Sequence, residues 1–295
     1  MADTVEAERM IKGTTKNLGV MGWPIAHSLS PVLQNAAIEK AGLDYVYISL
    51  PVPPDKLKEA VAGLKAMNFA GWNVTIPHKQ AIMAELDEVD EAARIIGAVN
   101  TVVNREGHLT GYNTDYIGFV QPLEQAGADL KGKEAALLGA GGAARAVIWG
   151  LLRAGVKSIT LGVRNPQKAS LLAEEFSKYG DIRVLHWEDE AFDEQLGRTD
   201  LLVNTTPLGM YPHVEGMPPV DWAKLKTTAL VYDIIYTPAR TRFLREAEEH
   251  GHKAVNGESM LAGQGAAAFA LWTGVTPNLE LMKKALRAEL AARQK

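Results

Sequence analysis

The 295-residue chain contains no cysteine, and this absence removes several kinds of chemistry at once. Disulfide bonds, zinc–thiolate sites, iron–sulfur clusters and thiol nucleophiles all depend on the missing side chain. A chain without cysteine also fits a reducing compartment, so we expect the protein to act in the cytoplasm.

Long apolar runs and an excess of positive charge are absent as well. No stretch approaches the roughly 20 apolar residues that a membrane-spanning helix needs. The N-terminus, from Met1 to Lys16, mixes acidic and basic residues and lacks the apolar core of a signal peptide. A formal net charge of −4 argues against nucleic-acid binding. We therefore expect a soluble protein with neither nucleic-acid nor membrane partners.

The residues that are present indicate a globular α/β protein with two domains. Hydrophobic residues make up 47% of the chain and charged residues 22%, which is typical of folded proteins, and the length suits two cores. Short β-rich runs alternate with helical patterns, as in βαβ architecture. The predicted strands are Leu18–Gly22, Tyr45–Leu50, Gly71–Ile76, the hairpin pair Ala98–Asn104 and His108–Tyr112, Ala135–Gly139, Ser158–Val163, Ile182–His186, Leu201–Asn204 and Leu230–Ile235. The predicted helices include Pro31–Ala41, Pro54–Met67, Arg145–Arg153, Glu258–Thr273 and Asn278–Arg293.

A glycine-rich turn follows the apolar run Ala135–Leu138. Its sequence, from Gly139 to Ala144, is GAGGAA and fits the pattern G-x-G-x-x-A. Glycine permits a tight turn and a close approach of the backbone, so a pyrophosphate can lie at the N-terminus of the next helix. An ordinary βα turn could carry the same pattern. The strand before it, the helix after it and a second strand at a suitable distance favour a dinucleotide site.

The end of that second strand bears on which dinucleotide is bound. Enzymes that use NAD usually place an acidic residue there, where it binds the ribose 2′-hydroxyl. Here the strand ends in Val163, Arg164 and Asn165, with no acid. Arg164 could pair with a 2′-phosphate, which favours NADP, or it could be an exposed surface arginine.

A second polar segment, Asn73–Lys79, reads NVTIPHK. On a strand, Asn73 and Thr75 share one face. Pro77 ends the strand, and Lys79 falls near the start of a helical pattern. Taken by itself, Lys79 is most simply a solvated lysine.

Lys79 nevertheless belongs to a series of motifs. They are Gly22–Pro31 (GWPIAHSLSP), Asn73–Lys79, Gly97–Thr101 (GAVNT), Gly111–Asp115 (GYNTD), the glycine turn, Asn204–Met210 (NTTPLGM) and Asn256–Ala266 (NGESMLAGQGA). No one of these is conclusive, but their order is specific. From about Gly19 to Thr273 the chain resembles the shikimate dehydrogenase family, which includes the quinate/shikimate dehydrogenases.

The resemblance implies an oxidoreductase that reversibly reduces 3-dehydroshikimate to shikimate with NADPH, a step towards chorismate and the aromatic amino acids. We expect a monomer or homodimer and no metal. Lys79 and Asp115 would form the catalytic pair. The implied substrate-binding residues are Ser28, Ser30, Thr75, Asn100, Tyr236 and Gln264. The implied cofactor-binding residues are Gly139, Ala140, Gly141, Gly142, Ala143, Arg164, Asn165, Thr205, Ile234, Gly257 and Met260.

Several of these residues have simpler structural interpretations. Ser28 and Ser30 could cap the helix that begins near Pro31, and Asp115 could cap the helix that follows it. An asparagine at a strand end, such as Asn100, often satisfies nearby backbone groups. Three histidines match no motif and are interpreted as surface or packing residues: His186, His213 and His252.

The resemblance also implies an inserted architecture. Residues 1–116, completed by 257–295, would form an α/β substrate-binding domain, and residues 117–256 a Rossmann-type NADP-binding domain. Two departures leave alternatives open. Gln34 replaces a common histidine, and Val163-Arg164-Asn165 replaces a loop that commonly reads Asn-Arg-Thr. A quinate/shikimate dehydrogenase with NAD or dual cofactor use is therefore an alternative, and a non-catalytic ligand sensor is a remote one.

Overall fold

The computed structural model describes residues 10–125 and 127–293, which form two compact units. The first unit contains the described residues through Thr114 and from Gly265 onward. The second contains the described residues from Asp115 to Gln264. Among the described helices, none combines the length and apolar character needed to cross a membrane.

Strands and helices alternate along the described residues. The strands are β1 (Lys16–Gly22), β2 (Tyr45–Pro51), β3 (Gly71–Val74), β4 (Glu88–Val89), β5 (Thr101–Arg105), β6 (His108–Tyr112), β7 (Glu134–Leu138), β8 (Ser158–Val163), β9 (Asp181–His186), β10 (Leu201–Asn204), β11 (Leu230–Asp233) and β12 (Lys253–Val255). The helices are α1 (Ser30–Lys40), α2 (Leu57–Ala66), α3 (Glu91–Ile96), α4 (Asp115–Gln125), α5 (Gly142–Arg153), α6 (Pro166–Phe176), α7 (Glu190–Leu196), α8 (Arg242–Glu249), α9 (Glu258–Thr273) and α10 (Leu279–Arg293).

The first unit is built on a mixed sheet with the strand order β2-β1-β3-β5-β6-β4. Strand β1 is parallel to β2 and β3, whereas β5 is antiparallel to β3 and β6. The end of α9 closes one face of this sheet. Its Trp272 donates a hydrogen bond from Nε1 to the carbonyl oxygen of Val102 at 2.9 Å. A Cβ at Gly71 would lie 2.3 Å from that indole nitrogen, so only glycine leaves room for the ring.

The second unit has a parallel sheet with the order β12-β11-β10-β7-β8-β9. Strand β7 is buried on both faces, with Ala136, Leu137 and Leu138 all fully inaccessible, as expected for a strand covered by helices on both sides. Counted within this unit, the strand order is 6-5-4-1-2-3. This is the dinucleotide-binding order, and the switch point lies between β7 and β10. The predicted α/β class with a Rossmann-type unit is therefore confirmed.

Local differences from the predicted elements have identifiable causes. Strand β3 ends at Val74, and the carbonyl oxygen of the next residue, Thr75, accepts a hydrogen bond from the backbone N–H of His78, which turns the chain. The predicted helix at 54–67 divides into a 3-10 turn, Pro54–Lys56, and α2. Helix α3 was not predicted, although Asp90 caps its N-terminus and Gly97 ends it with a positive φ of 72°.

The limits of the two units also differ from the predicted domain limits. The first boundary follows Thr114 rather than residue 116, and the second follows Gln264 rather than residue 256. The first turns of α9 belong to the second unit because they pack closely on Gly118 of α4. Residues 1–9, 126 and 294–295 of the predicted domains lie outside the described residues.

Candidate active site

The glycine turn connects β7 to α5 and leaves the start of that helix open. Gly141 is the N-cap, and no side chain accepts a hydrogen bond from the first turn of α5. A Cβ at Gly141 or Gly142 would meet nothing within 4 Å, and both residues are exposed. Uncapped N–H groups at the positive end of a helix dipole bind phosphate well. The turn has the form that the sequence predicted for a pyrophosphate cradle.

Gly139 and Thr205 link this turn to the neighbouring strand β10. Gly139 has a positive φ of 102°, and a Cβ there would lie 2.7 Å from the methyl carbon of Thr206. The Thr205 hydroxyl donates to the carbonyl oxygen of Leu138 at 2.9 Å. Thr205 therefore supports the glycine turn directly, at the switch point of the sheet.

On the other side of β7, the end of β8 has no acidic residue. Arg164 and Asn165 are both exposed. The Asn165 side-chain oxygen accepts a hydrogen bond from the backbone N–H of Lys168 at 3.0 Å and so caps α6. Because this oxygen is engaged in the cap, Arg164 is the better placed of the two to meet a ribose substituent.

The loop after β11 carries Ile234 and Tyr236, both partly buried. The backbone of Gly257 packs directly against this loop, since a Cβ on Gly257 would lie 2.0 Å from the carbonyl oxygen of Ile234. Its backbone N–H donates to Ile235 at 2.9 Å. Only glycine allows α9 to start here, which explains a predicted cofactor-site residue in packing terms.

Met260 and Gln264 lie one turn apart on α9 and contact α4. A Cβ at Gly118 would lie 2.5 Å from both the Met260 carbonyl oxygen and the Gln264 backbone nitrogen. The Gln264 side chain donates to the carbonyl oxygen of Leu261 at 2.9 Å and is 9% exposed. The close contact with Gly118 therefore fixes the turn of α9 that carries the Met260 and Gln264 side chains.

Sequence reasoning missed a buried polar centre at the ends of β10 and β11. Asp233 is fully buried and accepts hydrogen bonds from Thr241 Oγ1 at 2.6 Å, Asn204 Nδ2 at 3.1 Å and the backbone N–H of Ile235 at 3.1 Å. Burial raises the pKa of the Asp233 carboxyl group to about 6, although the three hydrogen bonds act in the opposite direction. No motif marks this residue, because its donors come from three separate segments.

In the first unit, Ser28 and Ser30 stand at the N-terminus of α1. The Ser28 hydroxyl oxygen accepts from the backbone N–H of Ser30 at 3.3 Å, and Leu29, the N-cap residue, makes no side-chain cap. Ser30 does not cap the helix, so the capping interpretation holds only weakly, for Ser28. Two hydroxyl groups at the start of a helix whose first turn has no acidic residue suit the binding of a carboxylate.

Thr75 and Lys79 lie in the turn after β3, and both are partly buried. A Cβ at Gly22 would meet the Thr75 methyl carbon at 2.5 Å, so the ends of β1 and β3 are in direct contact. The backbone carbonyl of Lys79 accepts from Val99 at 2.8 Å, and His78 binds the Val52 carbonyl oxygen through Nε2 at 2.7 Å. These bonds fix the backbone that carries the lysine.

A buried hydrogen-bond network lies beside that turn. Tyr47 donates from its hydroxyl to the Asn73 side-chain oxygen at 2.6 Å, and Asn73 donates to Thr101 Oγ1 at 3.0 Å. The Asn100 side chain accepts from the Thr114 backbone N–H at 2.7 Å and donates to the Thr114 hydroxyl oxygen at 3.0 Å. The structural interpretation of Asn100 therefore holds, and a binding role would be additional to it. Tyr47 and Asn73 were absent from the predicted site.

Asp115 is the first residue of α4. Among the unassigned histidines, His252 is a packing residue: it is 6% exposed and lies against the ring of Trp222, and burial lowers its pKa.

Within residues 10–125 and 127–293, no group of three His, Cys, Asp or Glu side chains could hold a metal ion.

Three family models match the chain. They are described as the shikimate dehydrogenase substrate binding domain, over residues 20–102, the shikimate/quinate 5-dehydrogenase, over 122–207, and the shikimate 5′-dehydrogenase C-terminal domain, over 257–287. A shikimate dehydrogenase (NADP(+)) of Desulforamulus reducens is 45% identical, over 95% of this chain and 98% of its own length.

Two crystal structures match almost throughout. Shikimate 5-dehydrogenase from Listeria monocytogenes, in complex with shikimate and NAD, is 37% identical with a TM-score of 0.90, over 94% of this chain and 98% of that chain. The enzyme from Thermus thermophilus, in complex with NADP(H) and shikimate, is 40% identical with a TM-score of 0.84, over 93% and 99%.

Proposed function

The chain belongs to the shikimate dehydrogenase family, and from this membership we propose that it catalyses the reversible, NADPH-dependent reduction of 3-dehydroshikimate to shikimate. The observation that carries the proposal is the open glycine turn between β7 and α5, at the switch point of a parallel sheet. We propose that the protein works in the cytoplasm, as a monomer or homodimer.

We assign a main task to each unit. The first unit would supply most of the substrate-binding residues, Ser28, Ser30, Thr75 and Asn100, whereas Tyr236 and Gln264 belong to the second unit. The second unit would bind NADP, because it contains the glycine turn and the ends of β8, β10 and β11. These assignments keep the predicted division of labour but use the limits at residues 114 and 265.

The residues of the second unit fit a dinucleotide. The uncapped N–H groups of α5 would hold the pyrophosphate, Arg164 the 2′-phosphate, and Thr205, Ile234, Gly257 and Met260 the nicotinamide half. When bound, NADP supplies the hydride acceptor for alcohol oxidation and the hydride donor for the reverse reaction. The protein supplies binding, orientation and proton transfer.

We assign proton transfer to Lys79. In shikimate oxidation a base must take the hydroxyl proton as the carbon loses its hydride, and in reduction the same group returns the proton. Its neutral amine would act in the first direction and its ammonium form in the second. Asp115 belongs to the same step by family resemblance, where a carboxylate would orient the amine and balance its charge.

Substrate recognition would rest on hydrogen bonds to one carboxylate and several hydroxyl groups. Ser28 and Ser30 would bind the carboxylate at the N-terminus of α1, and the ring hydroxyls would meet Thr75, Asn100 and Gln264, with Tyr236 lining the site. A site with one polar partner for each hydroxyl rejects analogues that lack one, because the partner is then left unsatisfied.

The direct test is an assay of the purified protein with shikimate or quinate, each with NADP⁺ or NAD⁺, following formation of the reduced cofactor. The proposal requires the highest kcat/KM with shikimate and NADP⁺. Preference for quinate with NAD⁺ would assign the chain to the quinate-linked alternative. Binding of shikimate without turnover would indicate a ligand sensor.

Replacement of Gln264 by alanine is expected to raise KM for shikimate with a smaller change in kcat. A buried polar partner left unsatisfied costs about 1–3 kcal/mol, which corresponds to roughly 5- to 150-fold in KM. Gln167→Ala, on the exposed side of α6, is the matched control and should leave KM unchanged. If Gln264→Ala leaves KM for shikimate unaltered, its hydrogen bond to Leu261 is its whole role.

A further inference from the structure

Asp233 joins three segments at the carboxyl edge of the second sheet. It is the last residue of β11, and its carboxyl group is fully buried. One oxygen accepts from Asn204, at the end of β10, and from the backbone N–H of Ile235, in the loop after β11. The other oxygen accepts from Thr241, the N-cap residue of α8. The Asp233 side chain therefore connects the end of β10 and the loop after β11 to the N-terminus of α8.

Asn204 extends these bonds along the loop after β10. Its side-chain oxygen accepts from the backbone N–H and the hydroxyl of Thr206, at 2.9 and 2.7 Å. Its amide nitrogen, besides donating to Asp233, donates to the carbonyl oxygen of Leu208 at 3.3 Å. The carbonyl of Asn204 accepts from the backbone N–H of Ile234 at 3.3 Å. The hydrogen bonds of Asp233 and Asn204 thus fix the backbone position on both sides of Thr205 and of Ile234.

We propose that Asp233 is a positioning residue for hydride transfer: through its hydrogen bonds it holds the two loops that bear on the nicotinamide half of the cofactor. This inference rests on the proposed function, since it assumes that Thr205, Ile234 and Tyr236 face the reacting groups. Asp233 itself touches neither cofactor nor substrate. Its effect is on the placement of residues that do.

The arrangement of donors explains why an acidic side chain occupies this position. Each of the three partners offers a proton, so the buried group must accept from all of them. A carboxylate can do so with two oxygens, whereas alanine would leave three donors unsatisfied. Asparagine would retain the oxygen facing Asn204 and Ile235 and would turn its amide towards Thr241, whose hydroxyl group can rotate to accept.

The same sheet provides a matched control at its opposite edge. Asp200, just before β10, also accepts a backbone hydrogen bond, from Glu134 at 3.0 Å, and binds the Lys226 ammonium group at 2.6 Å. It lies at the amino end of the strands, away from both loops that follow β10 and β11. Asp200→Ala therefore removes a structural carboxylate from the same unit without touching those loops.

The experiment compares Asp233→Ala, Asp233→Asn and Asp200→Ala by kinetics, by thermal melting and by calorimetric binding of adenosine 2′,5′-bisphosphate, which carries only the adenine half of the cofactor. Small displacements of reacting groups lower rates strongly, so Asp233→Ala should lower kcat/KM with NADP⁺ at least about tenfold. Its affinity for the fragment should stay within about twofold. Asp233→Asn should recover most of the lost rate.

Asp200→Ala should lower the melting temperature and leave kcat/KM unchanged. Equal loss of fragment affinity and turnover in Asp233→Ala would overturn the proposal, because it would indicate general damage to the unit. The proposal would also be overturned if Asp233→Ala left kcat/KM unchanged. It would equally be overturned if Asp233→Asn lowered kcat/KM as much as Asp233→Ala does. Failure of the proposed function is seen separately, as an unmutated protein that binds the fragment but does not oxidise shikimate. Should Asp233→Ala not fold, Thr241→Val, which removes one donor, must reduce kcat/KM without changing fragment affinity.

Discussion

Replacement of Lys79 by alanine is expected to lower kcat for shikimate oxidation by about 10²-fold or more, the usual contribution of a general base. The amine is the group assigned to the hydroxyl proton, and its loss leaves water as the only acceptor. KM for shikimate should change far less, because the carboxylate and the other ring hydroxyls keep their partners. Steady-state kinetics at saturating NADP⁺ measure both quantities.

Lys58→Ala is the matched control for this variant. Lys58 is an exposed lysine of the same unit, on α2, and lies in none of the predicted site motifs. Its replacement should leave kcat and KM unchanged. A Lys79→Ala protein with near-normal kcat would remove Lys79 from proton transfer, and a loss confined to KM would make it a binding residue only.

The unmutated protein should use NADP⁺ at least about tenfold better than NAD⁺, in kcat/KM at low salt, and Arg164→Ala should erase most of that preference. A guanidinium paired with a phosphate contributes about 1.5–3 kcal/mol, or roughly 10- to 150-fold in affinity. Helix α6 has no acidic residue in its first turn to oppose a 2′-phosphate. Kinetics with NAD⁺ should remain nearly as they were, since NAD⁺ lacks that phosphate.

Arg183→Ala serves as the control for charge alone. Arg183 is an exposed arginine on the neighbouring strand β9, paired with Asp181 at 2.8 Å, and its loss should not change the cofactor preference. Added salt should weaken the preference of the unmutated protein, because an exposed ion pair is screened. Equal or better kcat/KM with NAD⁺ would mean that Arg164 faces solvent and that the dual-cofactor alternative is correct.

The sequence was informative at several places where local chemistry determines local structure. The glycine turn could be predicted because Gly139, whose positive φ favours glycine, directly follows a buried strand. Strand β8 was placed at its observed limits, since an apolar run ending before Asn165 and Pro166 leaves little choice. The substrate-site residues came from family motifs, because hydroxyl and amide side chains in loops have no period of their own.

Long-range polar contacts could not be predicted from the sequence. Tyr47 and Asn73 are 26 positions apart, and Asn204 and Asp233 are 29 apart. Their partners are decided by the strand order β2-β1-β3-β5 in one sheet and β11-β10-β7 in the other. A sequence pattern indicates that a strand exists but not which strand lies beside it, so a buried asparagine or aspartate cannot be paired in advance.

The order of strands in the second sheet makes its two halves energetically separable. Arg164 follows β8 and Asp233 ends β11, and β7 and β10 lie between these two strands. At about 4.8 Å between neighbouring strands, three steps separate the two positions by roughly 14 Å. Changes that far apart usually combine additively, to within about 0.5 kcal/mol. A double-mutant cycle of Arg164→Ala and Asp233→Asn should therefore give no coupling energy, and the adenine-side loop could be redesigned for NAD⁺ without readjusting the hydride-transfer side.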